Sequence, residues 1–304
     1  MNVYRKTEIS QKKLSPQIRI LKSSHLVFFI SLLALIFSYG ISSASDISAK
    51  AAVLVDSLSG TVVYAKNPDL KLPPASTTKL ITAMVALDKL DPETLVTVSK
   101  RAANTPSVLP HLSAGQKIRV KDLLYLALMR SINGAAVALA ETAAGTEKAF
   151  VNLMNKKAQD VGAKNTKFIN ASGLPGRKQH TTARDLAELM KESLTYPLIS
   201  EIINTRIKML DVDNKQVFLK NTNHLLWNDD NQIGGKTGYT RAAKHCVVSA
   251  SRKGERTLIV ALLGEPVRDN LWVDAKRLLD KGYELFDNAK TRHTEISHYS
   301  PNKI

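Results

Sequence analysis

Cysteine is almost absent: Cys246 is the only one in 304 residues, so no intrachain disulfide can form. Its neighbours Val247 and Val248 make it a small core residue rather than a reactive thiol. No cluster of histidine and cysteine has metal-ligand spacing, and His180, His224 and His245 stand apart along the chain. Neither a metal nor a cofactor is expected. Aromatic residues make up only 6%, which argues against a platform for stacking nucleic-acid bases. No internal repeat and no low-complexity linker interrupts the chain. What remains is an ordinary globular composition, 44% hydrophobic.

One long apolar run stands out. Residues 1–25 carry Arg5, Lys6, Lys12, Lys13, Arg19 and Lys22 against Glu8, and Leu26 to Ile41 is then almost entirely apolar. Ser42-Ser43-Ala44 follows with small side chains. A basic region, an apolar stretch and small residues form a secretory signal. The run is slightly short for a membrane span, so an uncleaved N-terminal membrane anchor is the alternative rather than the first reading. Either way the rest of the chain belongs outside the cytoplasm, on the periplasmic or cell-wall side. Without residues 1–45, six bases and one acid are lost and the formal charge falls from +16 to +11. Such an excess suits anionic wall polymers or lipid headgroups, or simply solubility. Export and the lack of a basic recognition helix exclude a nucleic-acid partner.

The patterning beyond residue 45 alternates strand and helix signals. Ala51–Asp56 and Thr61–Ala65 flank a turn containing Gly60 and predict a hairpin. Leu80–Leu87 predicts a buried helix, and three helices are predicted between Val120 and Gly162. Another starts at Thr181-Thr182, with Asp185 placed as in a capping box, and stops before Pro197. A second hairpin is predicted from Arg206–Leu210 and Val217–Leu219 around Asp213-Asn214. Strands at Gly235–Gly238, His245–Ser251 and Thr257–Leu263 precede a helix from about Trp272 to Asn288. The expected fold is α+β: an antiparallel sheet flanked by helices, with an inserted all-helical subdomain. Residues 46–290 form one domain in this reading, and residues 291–304 a polar tail.

Ser76-Thr77-Thr78-Lys79 follows two prolines and opens the Leu80–Leu87 helix. On a helix, i and i+3 share a face, so Lys79 can reach the Ser76 hydroxyl. A serine hydroxyl needs a neighbouring base to become a nucleophile. A lysine supplies one only if burial or nearby positive charge lowers its pKa. Alone, the pair also fits a helix cap beside a solvated lysine. Ser131-Ile132-Asn133 and Lys236-Thr237-Gly238 follow in order. By themselves the first could cap the helix near Gly134, and the second could end an ordinary strand.

Together the three segments match S-x-x-K, S-x-N and K-T-G of penicillin-recognising serine enzymes. The chain resembles the D-alanyl-D-alanine carboxypeptidases, low-molecular-weight penicillin-binding proteins of the serine β-lactamase-like superfamily. The resemblance covers roughly residues 46–290 and takes in Asn170-Ala171-Ser172-Gly173-Leu174 and Gly234-Gly235. It implies that Ser76 is the nucleophile, Lys79 its base, and Ser131 a proton relay to the leaving amine. It further implies that Asn133 binds the substrate amide, that Lys236 and Thr237 bind the terminal carboxylate, and that Gly238 gives room. The backbone N–H groups of Ser76 and Tyr239 would form the oxyanion hole. Implied partners are peptidoglycan stem peptides, with β-lactams as acylating inhibitors.

The implied activity is removal of the terminal D-alanine through an acyl-enzyme. A D,D-endopeptidase cutting cross-links is the near alternative, and a non-catalytic wall-binding protein the distant one. Rapid β-lactam hydrolysis is not expected, because no Glu-x-x-Leu-Asn segment lies between Asn133 and Lys236. The chain is too short for the further β-rich domain and amphipathic C-terminal anchor that many relatives carry. Many relatives also have an arginine late in the sheet that helps hold the carboxylate, and Arg268 is the nearest candidate.

Overall fold

Near-continuous apolar runs build the central strands of the sheet, and the two faces they serve are distinguishable. A computed structural model describes residues 47–298 apart from 213 and 214, with side chains to residue 288. The signal segment, the Asp213-Asn214 turn and residues 299–304 lie outside the described residues. Everything below belongs to one compact unit beginning at Ser48.

The strands are β1 (Ala51–Asp56), β2 (Val62–Lys66), β3 (Leu95–Thr97), β4 (Lys117–Arg119), β5 (Ile207–Val212), β6 (Lys215–Lys220), β7 (Gln232–Thr240), β8 (Lys244–Lys253) and β9 (Arg256–Glu265). The helices are α1 (Lys79–Leu87), α2 (Lys100–Ala103), α3 (Val120–Met129), α4 (Asn133–Ala144), α5 (Glu147–Asp160), α6 (Ala183–Ser193), α7 (Pro197–Asn204), α8 (Leu225–Asn228) and α9 (Arg268–His298). Five strands form an antiparallel sheet in the order β2-β1-β9-β8-β7, and β3-β4 and β5-β6 are separate two-stranded sheets. The architecture is the expected α+β one.

Successive side chains on a strand point to opposite faces. Val53, Val55, Ile259 and Ala261 join the core that the helices share. Leu54 and Leu258 point the other way, onto α9. A Cβ on Gly282 of that helix would stand 2.6 Å from Leu54 Cδ2, so glycine lets helix and sheet close together. Because both faces are covered, β1 is buried throughout, which is why it reads as an unbroken apolar run. Helix α1 is buried from Lys79 to Ala86 and packs against α3, α4, α5 and α6. A helix apolar all round belongs at the centre of its domain. Edge strand β7 lies against the turn that carries Ser76.

The short elements β3, α2, β4 and α8 were not expected, and three expected features differ in detail. Pro197 not only follows α6 but starts α7, because its fixed φ suits the first helical position. Helix α9 begins at Arg268 and runs to His298, well past Asn288, through a segment free of glycine and proline. The capping box at α6 is half made: Thr182 Oγ1 accepts from Asp185 N at 3.0 Å. The Asp185 carboxylate turns instead to Asn165 N and Thr166 Oγ1, each at 2.7 Å.

Candidate active site

Ser76 sits in a 3₁₀ turn, Ala75–Thr78, that runs directly into α1. A 3₁₀ turn has three residues per turn and eclipses i with i+3, more tightly than the α-helix expected here. Lys79 Nζ accordingly lies 2.9 Å from Ser76 Oγ. Two threonines tie the turn down: Thr77 Oγ1 donates to Pro74 O at 2.7 Å and Thr78 Oγ1 to Ala75 O at 2.8 Å. Ala75 holds a left-handed φ of 48°. An L-residue in that region costs roughly 1–2 kcal/mol, so the surrounding bonds must enforce it.

Lys79 has no solvent exposure. Its Nζ also donates to Asn133 Oδ1 and to the Ser172 carbonyl, each at 2.6 Å. Both oxygens can only accept, so they take two N–H bonds. The third direction points at Ser76, and in a neutral amine it is the lone pair. Burial, followed by the nearby Lys236, pushes the Lys79 pKa well below that of an ordinary lysine. Asn133 Nδ2 donates to Pro106 O at 2.6 Å, which fixes Oδ1 toward Lys79. Both polar ends of the Asn133 amide are thus engaged within the protein.

Ser131 adopts φ 65°, another left-handed non-glycine residue, in the bend between α3 and α4. Helix α4 starts at Asn133 with Ile132 as its cap and no side-chain capping bond. Neither Ser131 nor Asn133 caps it. Lys236, on β7, is 1% exposed and is therefore not a solvated charge. Its Nζ donates to Ser131 Oγ at 3.0 Å and to Thr237 O at 2.9 Å. Burial lowers its pKa to about 7. Two buried lysines, one on each side, thus bracket the hydroxyls of Ser76 and Ser131.

A cleft of about 460 Å³ opens over these groups. Ser76, Ser131, Asn133, Thr237, Gly238 and Tyr239 line it, so every predicted site residue is on its wall or buried directly behind it. Tyr239 leans on His245, with ring centroids 4.5 Å apart. No carboxylate lines the cleft among the described residues. Sequence reasoning passed over Thr222, whose Oγ1 is 2.7 Å from Thr237 Oγ1, and gave no role to Ser172 within the Asn170–Leu174 segment, although its carbonyl anchors Lys79. No spacing signal marks either one. Arg268, left as a candidate, does line the cleft and opens α9.

The family model for D-alanyl-D-alanine carboxypeptidases matches residues 39–267. A D-alanyl-D-alanine carboxypeptidase of Bacillus subtilis is 34% identical over 245 residues, covering 79% of this chain and 63% of its own length. A D-alanyl-D-alanine endopeptidase of Escherichia coli is 37% identical over 242 residues, covering 78% of this chain and 77% of the relative. The solved D-alanyl-D-alanine carboxypeptidase of Mycobacterium tuberculosis superposes with a TM-score of 0.76 at 31% identity, covering 81% of this chain and 94% of that one. With sequence, fold and cleft in agreement, the chain belongs to the D-alanyl-D-alanine carboxypeptidase family of serine D,D-peptidases.

Proposed function

We propose that this chain removes the terminal D-alanine from peptidoglycan stem peptides by acyl transfer to Ser76. The observation that carries the reading is Lys79: buried, held by two acceptors, its third direction aimed at Ser76 Oγ. In the first step Ser76 Oγ bonds to the carbonyl carbon between the two D-alanines while its proton passes to Lys79 Nζ. The tetrahedral oxyanion is held by the backbone N–H groups of Ser76 and Tyr239, donors typically worth about 3–4 kcal/mol each. The C–N bond then breaks: Ser131 Oγ gives its proton to the leaving amine and takes one from protonated Lys236 Nζ, 3.0 Å away. Water attacks the acyl carbon and passes its proton through Ser131 to the now neutral Lys236, Ser76 recovers its proton from Lys79, and the shortened peptide departs.

Lys236, Thr237 and Arg268 supply positive charge and donors for the terminal carboxylate. Substrate backbone lies along β7, the sheet edge that Gly238 lets approach the Ser76 turn. Asn133 holds the base and, through the amide that faces the cleft, contacts the substrate as acylation proceeds. β-Lactams acylate the same serine. The chain acts outside the cytoplasm, exported through residues 1–45, which form either a cleaved signal or an anchor.

The test is a digest of defined muropeptides with wild type and Ser76→Ala side by side. Release of free D-alanine by wild type alone supports the carboxypeptidase reading. Cross-link cleavage without free D-alanine favours the endopeptidase, and loss of neither product in Ser76→Ala refutes both.

A further inference from the structure

Beside Arg268, at one wall of the cleft, lie two side chains to which acyl transfer assigns no task. Arg268 Nη2 lies 3.4 Å from His224 Nε2. The His224 ring stacks on Trp272, with centroids 4.9 Å apart and planes at 12°. Trp272 follows Arg268 by four residues on α9, so the two share a side of that helix. His224 comes from a different element, the turn leading into α8.

That turn is firmly held. Asn223 is fully buried; its Nδ2 donates to Ser249 Oγ at 3.1 Å, and its Oδ1 accepts from Leu225 N at 3.2 Å. Asn221 Oδ1 in turn accepts from Asn223 N at 2.9 Å. An arginine that must meet an anion in one orientation otherwise loses much rotamer freedom on binding. A fixed acceptor beside it removes part of that loss in advance. An imidazole that accepts at Nε2 is neutral and carries its proton on Nδ1.

We propose that His224 is a positioning residue: clamped on Trp272, it holds the Arg268 guanidinium toward the cleft and so sets affinity for peptides ending in a free carboxylate. The inference rests on the D,D-peptidase reading of the site. Burial and then the cations Arg268 and Lys220 keep the His224 pKa below that of an ordinary histidine, with Asp269 acting the other way. His245, which also lines the cleft, feels Arg268 as well, together with Glu265, Asp269 and Lys244. As pH falls through its lowered value, His224 gains a proton, ceases to accept and repels Arg268.

The experiment measures D-alanine or D-alaninamide release from an N-acylated tripeptide ending in D-Ala-D-Ala, as free acid and as C-terminal amide. In His224→Ala the KM for the free acid rises about fivefold, the scale of one partly exposed charged contact, with kcat within about twofold. The KM for the amide stays unchanged, since it offers Arg268 no anion. His224→Gln, whose amide oxygen still accepts, restores the KM and abolishes its rise in mildly acid solution. An unchanged KM in His224→Ala overturns the inference. So does an equal rise for acid and amide, or an acid-side rise that persists in His224→Gln. A wild-type chain that releases product from neither peptide overturns the peptidase reading and this inference together. Wild-type turnover with an unaffected His224→Ala overturns this inference alone.

Discussion

Gly238 lies so close to Ser76 that a Cβ on it would stand 2.8 Å from the Ser76 backbone nitrogen. The same Cβ would meet Ala75 Cβ at 2.9 Å. Real Cβ atoms do not approach so closely, so β7 can neighbour the Ser76 turn only with glycine here. Gly238→Ala must push strand and turn apart near the oxyanion donors. A misplacement of about 1 Å at such a site costs on the order of 100-fold. The second-order rate of penicillin acylation should fall by that order while the far-ultraviolet circular dichroism stays native.

Acylation itself is read most directly by intact mass. Wild type incubated with benzylpenicillin should carry one adduct, absent in Ser76→Ala. Lys79→Arg should lose it as well, because a guanidinium fills the space without ever giving up its proton. The adduct should be long-lived, since no carboxylate among the described residues lines the cleft to activate water. Rapid turnover of a chromogenic cephalosporin would contradict that expectation.

Stability should rise with pH above neutrality, against the usual trend for exposed lysines. Lys236 titrates at about 7 in the folded chain, and at about 10.4 when unfolded. Between those values the unfolded state binds a proton that the folded state lacks. Raising pH therefore favours folding, by about 1.4 kcal/mol per pH unit for one proton. Lys79, also lowered, acts in the same direction. Urea unfolding at pH 7.5 and 9 should show this rise, and Lys236→Met should reduce it to the share that Lys79 contributes.

Glu147 supports the base from a distance. Its Oε1 accepts from Ala171 N at 2.9 Å, and its other oxygen pairs with Arg101. The Ala171 carbonyl accepts from Thr82 Oγ1 at 2.7 Å, and the next carbonyl, Ser172, holds Lys79. Glu147→Ala leaves the buried Ala171 N–H unpaired, at roughly 1–3 kcal/mol. Thermal denaturation should register that loss. The acylation rate should fall with it, because the loop that aims Lys79 is loosened.

Local pattern revealed most of the elements. The β1–β2 hairpin, α3 to α5, α6 and strands β7 to β9 all lie where alternation, apolar periodicity and turn residues placed them. These signals act over a few residues and survive without tertiary context. Helix α7 was missed because Pro197 was read as a stop, although the same rigid φ can begin a helix. The extension of α9 was missed because its polar sequence, although free of glycine and proline, carries no apolar period.

The three motifs were legible in the sequence because each is a short, ordered set of residue types. Their order along 161 residues, from Ser76 to Lys236, predicted one site without showing how it closes. Tertiary structure alone decided that Asn133 and the Ser172 carbonyl take the two N–H bonds of Lys79. It alone buried Lys236 against Ser131 and brought Arg268 beside His224. Chain order fixes which chemical groups are available. Desolvation and hydrogen-bond direction, which turn a lysine into a base, arise only when residues 54 and 93 positions apart are packed around it.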